Sequence, residues 1–145
     1  MHAPRSELPA IAAELLRRLR ERRPRVHCIT NTVAQAFTAN VLLAAGAVPS
    51  MTIDAEEIGE FVAGADAMLL NLGTFDAERR RAAEIAVAAA NGNGRPWVLD
   101  PVFIDRTQRR ATYARALVGD GPRAIRCNRA EFEALAGVLP EDDAL

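Results

Sequence analysis

Asp100 directly follows the apolar run Trp97-Val-Leu and is itself followed by Pro101. A carboxylate at the exit of a buried strand is costly unless water, a cap or a cation meets it. Work on a metal or substrate and capping of the following loop are both open readings. Asn128 and Glu131 have the three-residue spacing of a reciprocal helix cap, which competes with a ligand role for that pair. Arg126, two residues before Asn128, is a permanent cation suited to a phosphate or to a surface ion pair. Asn31 ends the run Val26-His-Cys-Ile-Thr, where an amide either caps a helix or touches a ligand. Met51 fits core filling or a ligand clamp, and Gly73 fits turn chemistry or a close approach.

Other chemistries are absent. The chain has no lysine, so it offers neither a lysine Schiff base nor a phosphate-binding lysine. His2 and His27 stand alone, and no His/Cys cluster has metal-site spacing. Cys28 and Cys127 lack a neighbouring histidine to activate a nucleophile, and both fall in apolar, strand-like runs that suit inert buried thiols. Neither a phosphate loop nor a Gly-x-Gly-x-x-Gly fingerprint occurs.

The elements that must position these groups follow from periodicity. An alanine-rich stretch from Val33 to Ala45, closed by Gly46, lies between apolar runs at 26–29 and 48–52. That is the pattern of a βαβ unit. Upstream, Leu8, Ile11, Leu15, Leu16 and Leu19 mark an amphipathic helix from Ser6 to Arg22 that is expected to pack on the sheet, with Ser6 as its cap. Downstream, Asp54 with Glu57 opens a helix ending near Gly64. Strands follow at 67–72, 97–99 and 123–127. Between them lie helices from Thr74 to about Ala90 and from Thr107 to Val118, and a last helix runs from Asn128 to Gly137. Asn91-Gly-Asn-Gly94 is a strong breaker, and the polar segment from Pro140 onward is expected to fray. Five alternations of strand and helix specify a parallel sheet with right-handed crossovers and helices on both faces. All five strand ends then open on one edge, where such sheets bind ligands.

Bulk composition agrees. With 145 residues, half of them apolar, residues 1–145 read as a single α/β domain. The net charge of −1 argues against a nucleic-acid surface. The arginines from Arg17 to Arg25 share their segment with Glu7, Glu14 and Glu21, as on a solvated helix face. No membrane span is visible, and two unpaired-looking cysteines suit a reducing, cytoplasmic setting.

Several segments taken together carry a resemblance: Val26-His-Cys-Ile-Thr-Asn31, Phe37-Thr-Ala-Asn-x-Leu-Leu-Ala-x-Gly46-Ala, Pro49-Ser-Met51, Asn71-Leu-Gly-Thr74, Val98-Leu-Asp-Pro-Val102 and Ile125-Arg-Cys-Asn-Arg-Ala-Glu131. In this order the chain resembles the N-terminal half of hydroxyethylthiazole kinase, a family with the ribokinase-like fold. The resemblance implies ATP-dependent phosphorylation of the hydroxyethyl group of 4-methyl-5-(2-hydroxyethyl)thiazole in thiamine salvage. It further implies Mg2+, ATP as co-substrate and a homotrimer. Position by position, it makes Asn31, Met51 and Gly73 substrate-binding. Arg126 and Asn128 become cofactor-binding, and Asp100 and Glu131 magnesium-linked.

Two departures stand out from the family pattern. Phe103-Ile-Asp-Arg-Thr107 replaces a Gly-Ala-rich stretch, and Cys127 replaces a glycine. Both add bulk near the phosphate path. The resemblance places the catalytic residue and the glycine-rich anion hole beyond residue 145, so the chain reads as the N-terminal portion of a larger ribokinase-like kinase, weak as a catalyst alone. A kinase for another small alcohol and a non-catalytic half-domain that binds a ligand or partner subunit are the rival readings.

Overall fold

The computed structural model describes residues 7–137. Ser6, His2 and the segment from Pro140 lie outside them. The expected α/β architecture is present, and the described residues form six α-helices and one 3-10 turn around a five-stranded parallel sheet of order β2-β1-β3-β4-β5. The strands are β1 (Arg25–Ile29), β2 (Val48–Ser50), β3 (Ala67–Asn71), β4 (Trp97–Asp100) and β5 (Ala124–Ile125). The helices are α1 (Leu8–Arg22), α2 (Gln35–Ala45), α3 (Ile58–Ala63), α4 (Ala77–Gly92), α5 (Gln108–Gly119) and α6 (Arg129–Ala136).

Register and alternation build the core. His27, Met68 and Trp97 are aligned across β1, β3 and β4, as are Ile29, Leu70 and Leu99 two residues further on. All six are buried, because side chains two apart share one face of a strand. Against that face pack Ile58 and Val62 of α3, the alanines of α4, and Ala114 and Leu117 of α5. Alanine on α4 lets the helix backbone approach the sheet closely. The chain steps from β1 outward to β2 and then returns past β1 to β3. Right-handed crossovers therefore place α2 on the opposite face from α3, α4 and α5. Pro49, which has no donor, sits on the edge strand β2, where none is needed on the outer side.

Several sequence expectations are corrected. No residue of α1 or α2 is buried, and Leu15 of α1 is 59 % exposed. α1 packs on α2 and leaves its apolar stripe open, instead of covering the sheet. Amphipathic spacing identifies a face that wants cover without naming what covers it. Asp76, not Thr74, caps α4 by accepting from the Arg79 N–H at 2.7 Å. The helix continues through Asn91 and Gly92 before stopping at Asn93. Asp54 and Glu57 do not form a reciprocal cap. The Asp54 carboxylate accepts from the Glu56 N–H, and the Glu57 carboxylate accepts from the Thr52 hydroxyl. β5 is only two residues long, so Cys127 lies beyond it and is half-exposed, whereas Cys28 is buried.

Candidate active site

The sheet switches direction between β1 and β3, neighbours whose onward connections leave to opposite sides. The loops at this point bound the crevice in which open α/β sheets hold ligands. Asn31 lies on one loop and Gly73 on the other. They touch so closely that a Cβ built on Gly73 would stand 2.8 Å from Asn31 Cβ and 2.9 Å from both Asn31 Nδ2 and Asn71 Oδ1. The glycine is there for close approach, since no side chain fits. Asn31 also accepts from the Val33 N–H at 2.9 Å, so it shapes the turn into α2 while its amide nitrogen faces Gly73. The same loops are tied again by Thr74, whose hydroxyl accepts from the Thr32 N–H at 3.1 Å.

From Gly73 the polar contacts continue across the sheet. Asn71 accepts from the Gly73 N–H at 2.9 Å and donates through Nδ2 to Asp100 Oδ2 at 2.8 Å. Parallel register pairs Asn71 with Asp100, so their side chains emerge on the same face. Arg126 Nη1 reaches Asp100 Oδ1 at 3.4 Å, with the carboxylate 14 % and the guanidinium 76 % exposed. An ion pair with one partner so exposed contributes little to stability. It leaves Arg126 free to meet an anion.

Asn128 and Glu131 form the full reciprocal cap of α6. Glu131, although buried, has both oxygens satisfied, Oε2 by the Asn128 N–H at 2.9 Å and Oε1 by the Phe103 N–H at 3.1 Å. It thereby fastens α6 to the loop leaving Asp100. Phe103, on the loop leaving β4, adopts a left-handed φ of 60°. That region suits glycine and is strained for a bulky side chain.

Asn31, Gly73, Asp100 and Arg126 are thus linked in one network along the strand ends. Asn128 and Glu131 adjoin it through the Phe103 loop. Met51 follows the last residue of β2 on the same edge, at the outer strand. Asn71 and Arg110 were not singled out by sequence. Arg110 Nη1 donates to the Leu72 carbonyl at 2.6 Å and to Val102 at 3.3 Å, pinning the β3 and β4 exits together while its guanidinium stacks on Phe75. Burial lowers its pKa from the usual arginine value. Asn71 carried one signal, a polar residue closing an apolar strand two positions before a glycine. Arg110 carried none within its arginine-rich segment. Open clefts lie elsewhere, one of about 370 Å³ between α5 and α6 and one of about 520 Å³ beside β2 and α3. Neither is lined by the rim residues.

Fold and site together define an open parallel α/β protein with a polar, charge-bearing site at its topological switch. Residues 16–142 match the hydroxyethylthiazole kinase family model, and the chain belongs to that family. It is 50 % identical over 132 residues to a probable hydroxyethylthiazole kinase of Agrobacterium fabrum, covering 91 % of this chain and 53 % of that one. With the hydroxyethylthiazole kinase of Cronobacter sakazakii the identity is 46 % over 126 residues, covering 87 % and 48 %. A solved hydroxyethylthiazole kinase structure from Pyrococcus horikoshii superposes with a TM-score of 0.85 at 42 % identity, covering 88 % of this chain and 50 % of that one. The chain spans about half the length of the curated relatives it matches.

Proposed function

We propose that these residues form the substrate and phosphate-facing half of a site that phosphorylates the hydroxyethyl group of 4-methyl-5-(2-hydroxyethyl)thiazole with ATP. The observation that carries this reading is the unbroken contact path from Asn31 through Gly73 and Asn71 to Asp100 and Arg126. It spans a neutral amide end, suited to a heteroaromatic alcohol, and a charged end, suited to a triphosphate. Phosphoryl transfer depends on positioning and charge neutralisation more than on covalent chemistry, and these residues supply both. Asn31, Met51 and Gly73 take the thiazole. Arg126 meets a phosphate, and Asn128 sets the start of α6 beside it.

Mg2+ fits the donor set in the form it takes with nucleotides, in which one or two carboxylates suffice and water and phosphate complete the shell. Asp100 is oriented by Asn71, and its other oxygen meets only the exposed Arg126 guanidinium at 3.4 Å. Glu131 keeps lone pairs beyond its two backbone N–H bonds, and together they would hold the ion, which supplies charge neutralisation to the phosphates. Among the described residues no three His, Cys, Asp or Glu side chains cluster as metal ligands.

The exposed apolar side chains of α1 and α2, Phe37 at 73 % among them, support association with further copies of this chain, as in the trimer the resemblance implies. Residues 1–145 act as one α/β domain of the kinase in a cytoplasmic setting, where free Cys28 and Cys127 stay reduced. No described helix is long and apolar enough to cross a membrane. Isotope-edited titration tests the reading. The thiazole alcohol is expected to shift the Asn31 and Gly73 amides, and Mg·ATP those of Asp100 and Arg126, with Asp100→Asn abolishing the magnesium dependence of the second set. Shifts confined to the cleft beside β2 and α3 would overturn it.

A further inference from the structure

His27 is fully buried on β1, with both ring nitrogens engaged by the chain leaving β2. Nδ1 lies 2.9 Å from Ser50 Oγ, and Nε2 lies 3.1 Å from the Thr52 carbonyl oxygen. A carbonyl only accepts, so Nε2 carries the hydrogen, and in the neutral ring that burial favours Nδ1 accepts from the Ser50 hydroxyl. Ser50 and Thr52 are the two neighbours of Met51. The β1–β2 ladder ends at the pairing of His27 with Ser50, so the backbone beyond has no strand to hold it, and the imidazole takes over that task. Thr52 is fixed further by its hydroxyl, which donates to Glu57 Oε1 at 2.5 Å and accepts from the Asp54 N–H at 3.3 Å. The Phe61 ring stands 6.1 Å from the imidazole. Glu57 and Glu60 are the carboxylates that share a cleft with Ser50 and Phe61.

We infer that His27 is a positioning residue that sets Met51 at the thiazole end of the site, its neutral Nε2–H imidazole holding the Ser50 hydroxyl on one side of it and the Thr52 carbonyl on the other. The inference rests on the reading of Met51 as a substrate contact. One ring must donate and accept in divergent directions, which no apolar side chain can do. Glutamine reproduces the Nε2 donor and loses the Nδ1 acceptor.

The test uses side-chain 15N spectra of His27 and methyl-13C spectra of Met51 in the wild-type chain, His27→Gln, His27→Leu and Ser50→Ala, followed by titration with the thiazole alcohol and with Mg·ATP. The expected results are an Nε2–H pattern at neutral pH and a displaced Met51 methyl signal in Ser50→Ala while the buried Met68 signal stays in place. Thiazole affinity should fall about tenfold in His27→Leu and less in His27→Gln, with Mg·ATP affinity kept. An Nδ1–H tautomer, an unmoved Met51 methyl in Ser50→Ala and His27→Gln, or equal loss of both ligands would overturn it. If the wild-type chain takes up no thiazole, the substrate reading fails, and the tautomer and the Met51 signal still decide whether His27 sets this segment.

Discussion

Gly73→Ala isolates the contact on which the site is built. The added methyl group would sit 2.8 Å from one carbon of Asn31 and 2.9 Å from polar atoms of Asn31 and Asn71, inside the distance real side chains keep. Neither neighbour moves freely. Asn71 is held by the Gly73 N–H and Asp100, and Asn31 by the Val33 N–H. Overpacking of this kind costs about 1–3 kcal/mol, offset by roughly 0.4–1 kcal/mol from the stiffer unfolded chain. The net expectation is a loss of about 1–2 kcal/mol, or about 3–6 °C in Tm for a domain of this size. Gly59→Ala is the matched control. Its new methyl would meet only Ile85 Cγ2, at an ordinary 3.6 Å, within helix α3. There alanine should stabilise by about 0.5–1 kcal/mol. Thermal denaturation of the two variants should therefore move in opposite directions, with the Asn31 and Asn71 side-chain amide signals displaced in Gly73→Ala alone. Equal or greater stability of Gly73→Ala with those amides unmoved would refute the close-approach argument and leave Thr74 with Thr32 as the tie between the β1 and β3 loops.

Thiol labelling should separate the two cysteines. Burial pushes the Cys28 thiol up to about 11, so it should stay unreactive at pH 8 until the chain unfolds, while half-exposed Cys127 labels in the folded state; simultaneous labelling would contradict this. Burial also lowers the His27 pKa below the usual histidine value. The unfolded chain then binds the extra proton first, so this contribution to stability is complete above about pH 6.5 and is lost as pH falls through the lower folded value. Urea denaturation of wild type and His27→Gln between pH 5 and 8 should show that slope in the wild type alone.

Much of the fold is legible because each strand is an apolar run closed by a polar residue or a breaker. Asn31 and Asp100 mark the candidate edge for the same reason, being polar groups at positions that a buried run would otherwise keep apolar. What was not legible depends on alignment between strands. Asn71 becomes the bridge to Asp100 only once β3 and β4 are in register, and Arg110 matters only because α5 brings it over two loop carbonyls. Thr74 and Asp76 are both capping residues two apart, and local pattern does not choose between them. The pairing of Thr74 with Thr32, forty-two positions away, does. The open apolar stripe of α1 shows the same limit, since spacing reveals a face and not its cover.

α2 has no charged residue between Gln35 and Ala45 and no buried side chain in the chain by itself. It rests on β2 and α1 through half-buried residues such as Ala39 and Leu42, and the rest of its apolar surface lies open. Its folding free energy therefore carries a mass-action component whenever like surfaces meet. If copies of the chain associate through that face, melting curves recorded at micromolar and at hundredfold lower protein part company; coincident curves would exclude such association.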